Sequence, residues 1–110
     1  MSSPKDQIKI AFCDDDSSVL NDLHELLTRY RTEKNMQLDD YSFHSPLDLI
    51  SEIERGARFD ILFLDVLMPG ENGIEAAEEI RIYDKNIKII FLTSSSEYAV
   101  QSYTVNAFYY

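Results

Sequence analysis

The sequence has little cysteine, no long apolar run and few positive charges. Its one cysteine, Cys13, excludes an intrachain disulfide framework, and we expect a buried, reduced thiol there. No apolar stretch approaches the ~20 residues of a membrane-spanning helix, and residues 1–5 do not have the pattern of a signal peptide. Ten basic against twenty acidic residues give a net charge of −10, which is unsuited to binding nucleic-acid phosphates or anionic lipid. We therefore expect a cytoplasmic protein that itself contacts neither membrane nor nucleic acid.

Strand-like and helix-like segments alternate along the 110 residues, without a repeat or a domain-scale linker. Apolar runs predict strands at Ile8–Cys13, Met36–Phe43 (near a sheet edge), Asp60–Leu64, Ile87–Leu92 and, as the first half of a fifth strand, Ala107–Tyr110. Apolar residues at helical spacing predict helices over 19–34, 46–54 and 74–83, and a short helix after residue 97. Short links between such segments imply right-handed crossovers. The pattern predicts one α/β domain over residues 1–110, with a parallel sheet and helices on both faces.

Signals for the ends of the helices accompany this pattern. Ser17 or Ser18 is expected to cap the first helix, and Ser45 followed by Pro46 is expected to start the second. Gly56 is expected to end that second helix. These signals place the loops between elements, where ligand-binding side chains concentrate.

Polar side chains follow the predicted strands at one edge of the sheet. Asp14 and Asp15 follow the first strand, and Asp65 terminates the third. Thr93 and Ser94 close the fourth. Ligands of a doubly wound sheet bind beyond the carboxyl ends of the strands, and converging carboxylates repel one another unless a cation lies between them. The sequence therefore predicts an oxygen-ligand site for Mg²⁺, with one aspartate left for chemistry.

These features together resemble a response-regulator receiver domain. The resemblance rests on Asp14-Asp15 after the first strand, on Asp65 followed by Met68-Pro69 and Gly73, and on Thr93 after the fourth strand. It covers essentially the whole chain and implies a flavodoxin-like, doubly wound parallel sheet with strand order 2-1-3-4-5. More narrowly, the segments 13–16 and 102–110 resemble receivers that precede a LytTR-type DNA-binding domain.

The resemblance implies a role for each polar residue. Asp65 is then the phosphoacceptor, which attacks a phosphohistidine of a sensor histidine kinase. The implied Mg²⁺ ligands are Asp15, Asp65 and the main-chain carbonyl of Leu67, with Asp14 acting through water. The implied phosphoryl contacts are Thr93 and Ser94, and Tyr110 occupies the place of the switch aromatic.

The resemblance also implies how the signal leaves the domain. A phosphoryl group adds roughly −1.5 to −2 charge and new acceptor oxygens. Thr93 is then drawn toward it, and an aromatic residue on the fifth strand fills the vacated space. The surface of the fourth helix and fifth strand changes its population of partner-binding states. We expect an effector in the parent chain, a LytTR-type DNA-binding regulator, and no enzymatic activity beyond self-phosphorylation and self-dephosphorylation.

One departure from the family pattern concerns a lysine. Receivers carry a Lys after the fifth strand that contacts the phosphoryl group, and by alignment it would come just beyond Tyr110. Lys85 and Lys88 flank the start of the fourth strand, at the opposite end of the sheet, and are not substitutes. We expect a receiver shortened at its C-terminus and lacking the last helix, whose uncovered sheet face recruits a second copy into a homodimer.

Other readings of the same residues stay open. Asp14-Asp15 also fits an acidic cluster at a helix N-terminus, Asp65 also fits a capping residue, and Gly73 is expected to serve backbone geometry alone. A receiver-like interaction module that never accepts phosphate is the main alternative function. An aspartyl-nucleophile phosphatase matches the Asp14–Asp16 spacing but lacks that family's context. No His or Cys spacing suits zinc, and we expect His24 and His44 to be structural or solvated.

Overall fold

The computed structural model of the protein describes residues 7–68 and 71–92, in which strands alternate with helices. The strands are β1 (Gln7–Cys13), β2 (Gln37–Phe43), β3 (Ile61–Asp65), β4 (Leu67–Met68), β5 (Glu71–Asn72) and β6 (Lys88–Leu92). The helices are α1 (Ser17–Lys34), α2 (Pro46–Glu54) and α3 (Gly73–Tyr83). Each element predicted within these ranges is present, and its ends differ from the predicted ends by at most two residues. The small β4–β5 hairpin was not predicted.

Four parallel strands form the main sheet, in the order β2-β1-β3-β6. This order confirms the predicted doubly wound topology over its first four strands, with β2 at an edge as expected. The predicted fifth strand at 107–110 and the helix before it lie outside the described residues. Because all four strands run the same way, their carboxyl ends meet at one edge of the sheet.

The core is divided between the two faces of this sheet. Alternate residues of β3 point to opposite faces, as expected for a strand. Leu62 and Leu64 are fully buried in the larger cluster with α2 and α3. Ile61 and Phe63 are half-buried on the other face, against a smaller cluster that includes Leu20 of α1. The prediction of a strand buried on both faces is therefore correct for one face and partly correct for the other.

Of the two helix starts for which the sequence predicted a cap, one is confirmed and one is not. The Ser45 hydroxyl accepts the backbone N–H of Asp48 at 3.3 Å, with Pro46 at the first helical position. Gly56, at φ 109°, follows the end of α2. The expected cap of α1 at Ser17 or Ser18 was wrong, since Asp16 takes this position and accepts the Ser18 N–H at 2.9 Å. A carboxylate accepts this bond better than a hydroxyl because it carries a full charge.

Candidate functional site

The register of β1 and β3 brings three carboxylates together at the carboxyl edge of the sheet. Cys13 pairs with Leu64, so the residues that follow them, Asp14 and Asp65, lie side by side. Carboxylate oxygens of Asp14, Asp15 and Asp65 all lie within 4.8 Å of one another. Asp14 is buried, Asp65 is half-buried and Asp15 is exposed. The structure therefore brings together the three aspartates that the sequence placed at this edge.

Asp14 is the buried member of this group, at 6% exposure. Its backbone N–H donates to the carbonyl of Phe43 at 3.1 Å, which fixes its main chain to the end of β2. Its carboxylate accepts the N–H of Asp16 at 2.9 Å. Burial, and then the neighbouring charges of Asp15 and Asp16, raise the pKa of Asp14 above the ordinary aspartate value, and the bond from Asp16 opposes this only in part.

Asp16 takes a different role from its two neighbours. Its carboxylate accepts both the N–H of Ser18 at 2.9 Å and the Ser18 hydroxyl at 2.7 Å. These two bonds lower the pKa of Asp16. The third aspartate of the Asp14–Asp16 run thus caps α1 and does not belong to the cluster.

The chain turns back sharply after Asp65. Leu67 pairs with Asn72 across the antiparallel β4–β5 hairpin. The N–H of Gly73 then donates to the carbonyl of Val66 at 3.0 Å, and Asn72 caps α3 by accepting the N–H of Ile74 at 2.7 Å. The bond between Gly73 and Val66 brings the start of α3 close to the end of β3.

The remaining sequence candidates are placed only in part. The main chain of Leu67 lies at the start of β4, two residues after Asp65. Thr93, Ser94 and Tyr110 lie outside the described residues, so their expected roles stay predictions. Lys88 begins β6 opposite Ile61, at the amino ends of the strands, far along the sheet from Asp65.

Neither histidine of the chain lies among the clustered carboxylates. His24 of α1 is half-exposed and its Nδ1 contacts the Asp40 carboxylate at 2.5 Å. The Nε2 of His44 lies 3.1 Å from the Ser17 hydroxyl. Both contacts tie a helix to the strand or loop beside it, in line with the structural role expected for the histidines.

The three clustered carboxylates fit a hard divalent cation. They supply oxygen ligands only, which Mg²⁺ prefers, and few enough of them to leave room for several waters. Burial raises the pKa of Asp14, and the negative charges of Asp15 and Asp16 raise it further. A bound cation would offset these negative charges, so both the ligand atoms and the electrostatics of the cluster favour a divalent cation.

The chain is similar to known proteins over almost its whole length. Residues 10–110 match the family model of the response regulator receiver domain. The chain belongs to this family. The receiver is 48% identical over 50 residues to the sensory transduction protein LytT of Oceanobacillus iheyensis, which covers 44% of this chain and 20% of that protein. It is 28% identical over 104 residues to LytT of Bacillus subtilis, which covers 94% of this chain and 41% of that protein.

A solved structure confirms the fold of the receiver. A response regulator protein from Burkholderia pseudomallei, with a phosphorylated aspartic acid, a calcium ion and citrate, matches with a TM-score of 0.79 at 16% identity. The match covers 94% of this chain and 58% of the other. The receiver also spans less than half the length of the two LytT proteins. Among the described residues, no helix is long and apolar enough to cross a membrane.

Two features of the receiver site were missed from the sequence. The capping role of Asp16 could have been found, because an Asp two residues before a Ser at a helix start forms a common capping turn. The close contact between Gly73 and the backbone of Asp65 carries no local signal, because it depends on how α3 packs against the end of β3.

Proposed function

We propose that Asp65 is the phosphoacceptor of a two-component response regulator and receives its phosphoryl group from a sensor histidine kinase. The observation that carries this proposal is the group of three carboxylates within 4.8 Å at the carboxyl edge of a receiver sheet. Asp65 is the half-buried member of that group, at the end of the central strand β3. The phosphorylated aspartic acid of the Burkholderia protein is consistent with an acyl phosphate on this fold.

The proposed step is a transfer between two nucleophiles. A carboxylate oxygen of Asp65 forms a bond to phosphorus while the phosphorus–nitrogen bond of the phosphohistidine breaks. The imidazole leaves with the electron pair of that bond. It leaves as neutral imidazole when its other ring nitrogen carries a proton, and otherwise it takes up a proton from water. The protein contributes mainly position, because phosphoryl transfer requires alignment and charge neutralisation more than covalent assistance.

Asp15, Asp65 and the main-chain carbonyl of Leu67 are the proposed direct ligands of Mg²⁺, with Asp14 acting through water. When bound, the ion neutralises charge on the carboxylates and on the phosphoryl oxygens. Asp14 holds its place through its bonds to Phe43 and Asp16, which keep a buried negative charge beside the acceptor. The negative charge of Asp14 disfavours the approach of the anionic phosphoryl group unless a cation offsets it.

The output of the receiver is also proposed from its relatives. Relatives named sensory transduction protein LytT and transcriptional regulatory protein LytR support an effector that controls transcription by binding DNA in the same parent chain. Thr93 and Ser94 are the proposed phosphoryl contacts and Tyr110 the proposed switch aromatic. Three further points stay predictions: the cytoplasmic location, the homodimer, and residues 1–110 as one receiver domain with no enzymatic activity beyond self-phosphorylation and self-dephosphorylation.

Labelling with a small phosphodonor tests the proposed acceptor. The full-length natural protein, incubated with acetyl phosphate and Mg²⁺, is expected to gain one phosphoryl group that is stable to acid and labile to base. Asp65→Asn is expected to abolish the labelling. Asp60→Asn is the matched control, because Asp60 precedes the other end of β3 and accepts the Lys9 N–H at 2.9 Å.

Three results decide between the functions considered. Labelling of Asp65→Asn, or a phosphoryl group mapped to Asp14 or Asp15, would show that the acceptor is wrong. Mg²⁺ binding without any labelling by acetyl phosphate or by a phosphorylated kinase would favour the interaction module that never accepts phosphate. Loss of labelling in Asp65→Asn alone supports the proposal.

A further inference from the structure

Gly73 packs directly on the backbone of the proposed acceptor. A Cβ built on Gly73 would lie 2.4 Å from the carbonyl oxygen of Asp65, 2.8 Å from the Cα of Val66 and 3.1 Å from the carbonyl carbon of Asp65. Outside their own residue and its two chain neighbours, real Cβ atoms essentially never come closer than 3.0 Å to a heavy atom. All three neighbours are backbone atoms, so no side chain can rotate away to make room.

The close approach is the reason for glycine at this position, rather than backbone freedom. Among the described glycines, only Gly56 has a positive φ. Gly73 is the first residue of α3, and its N–H donates to Val66 in the same contact. Asp65 is also in register with Leu92 of β6. The main chain of Asp65 thus contacts both a neighbouring strand and the start of a helix.

We propose that Gly73 is a positioning residue for phosphoryl transfer: its bare Cα sets the place of the Asp65 main chain, and so of its carboxylate relative to Asp14 and Asp15. This inference rests on the proposed role of Asp65. An alanine needs a displacement of about 1 Å to reach ordinary van der Waals distance from the Asp65 carbonyl. Either α3 tilts away or the acceptor moves.

A displacement of this size is large enough to affect the chemistry. A misplacement of ~1 Å can lower the rate of a positioned reaction by about 100-fold. The three carboxylates must also keep their mutual distances for a cation to bind them. We therefore expect Gly73→Ala to reduce both the phosphorylation rate and the affinity for Mg²⁺.

The test compares Gly73→Ala with Gly56→Ala in the full-length natural protein. Gly56 has a strained φ of 109° for any side chain, yet a Cβ there meets no atom within 4 Å, so its substitution changes stability without contacting Asp65. Three quantities are measured for each variant: the urea midpoint, the Mg²⁺ dissociation constant, and the rate of phosphorylation by acetyl phosphate at saturating Mg²⁺. Rates are expressed per folded molecule.

The expected result is a 10- to 100-fold lower rate and weaker Mg²⁺ binding for Gly73→Ala, against changes of less than twofold for Gly56→Ala. Equal rates in Gly73→Ala and the unaltered protein overturn the proposal. Equal losses in the two variants also overturn it, because the effect then follows stability. A Gly73→Ala chain that stays unfolded even with a stabilising osmolyte overturns it too, since the glycine then serves the fold as a whole.

The proposed function can fail separately from this inference. Asp65→Asn is measured in parallel, and persistent labelling of that variant refutes the acceptor whatever Gly73→Ala does. The Mg²⁺ affinity of Gly73→Ala then still reports whether the glycine positions the carboxylate cluster.

Discussion

Cys13 of β1 and Leu64 of β3 are register partners on adjacent parallel strands. The residue after each partner is an aspartate, so Asp14 and Asp65 lie at the same level at the ends of adjacent strands. Both partners are fully buried, which anchors the two carboxylates to the core of the domain. The geometry of the cluster therefore follows from strand pairing, and a slip in register would separate the two aspartates.

Asp15→Asn is expected to weaken Mg²⁺ binding at least tenfold, because it removes one of the few charged oxygen ligands available to the ion. The affinity of the unaltered receiver is expected to be about millimolar, as for a site that keeps several waters. Isothermal titration with Mg²⁺ measures both values. Asp39→Asn is the control, since Asp39 lies on the edge strand β2 and its side chain accepts a hydrogen bond from Gln7, outside the carboxylate cluster. Equal losses in the two variants would contradict the assignment of the site.

Asp14→Asn is expected to raise the stability of the metal-free receiver at neutral pH. A raised pKa means that the folded state binds the Asp14 proton more tightly than the unfolded state does, so stability falls as pH rises from the ordinary value of 3.8 to the raised one. At pH values above the raised pKa this loss of stability is complete, and replacing the charged carboxylate by a neutral amide recovers the lost stability. Stabilising changes of this kind commonly contribute about 0.5–2 kcal/mol.

Urea unfolding in the presence of a chelator measures this gain. Asp22→Asn, an exposed position on α1, serves as the control and is expected to leave the midpoint unchanged. Added Mg²⁺ should narrow the difference between Asp14→Asn and the unaltered protein, because the ion also offsets the charge. A lower midpoint for Asp14→Asn would refute the electrostatic argument.

Asp16 gives the opposite dependence on pH. Its lowered pKa means that the unfolded state binds its proton more tightly, so the stability from this group is fully present above the ordinary value of 3.8 and is lost as pH falls through the lowered pKa. Asp16→Asn keeps an oxygen acceptor for Ser18 but does not titrate. The unaltered receiver should therefore lose stability more steeply in acid than Asp16→Asn, as urea midpoints at a series of acidic pH values would show. Parallel curves would rule out this linkage.

Leu62→Ala is expected to destabilise the receiver by about 2–5 kcal/mol, because Leu62 is fully buried in the cluster with α2 and α3 and its loss leaves a cavity. Leu47→Ala makes the same chemical change at a side chain that is 68% exposed, and should alter stability by no more than about 0.5 kcal/mol. Urea unfolding measures both. Similar losses in the two variants would show that the described core is wrong.

The strands, the helices and the convergence of the aspartates at one edge could be predicted from local patterns in the sequence, whereas the strand order came from the resemblance to receiver domains. Apolar runs mark the strands, and Ser45 with Pro46 marks the start of α2. Once the sheet is parallel, residues that follow its strands must meet at one edge. The placement of Asp14, Asp15 and Asp65 at one edge therefore followed from the sequence pattern, while their close approach depends on the pairing of β1 with β3.

Other features depend on how packed elements meet, and the sequence alone does not reveal them. The hairpin of β4 and β5 has strands of only two residues, too short for a periodic signal. The contact of Gly73 with Asp65 requires the packing of α3 to be known to within an ångström.

The position of β2 has a consequence for how the protein behaves in a crowded solution. Among the described strands, β2 lies at the edge of the sheet and pairs only with β1, so its outer backbone groups could extend the sheet into a neighbouring molecule. Asp39 and Asp40 are consecutive residues of this strand and point to opposite faces of the sheet, where the first bonds to Gln7 and the second to His24. Two strands that met here in an aggregate would bring four carboxylates together. Because charged side chains on an edge strand disfavour its pairing with another strand, we expect the two aspartates to oppose growth of the sheet from one molecule to the next.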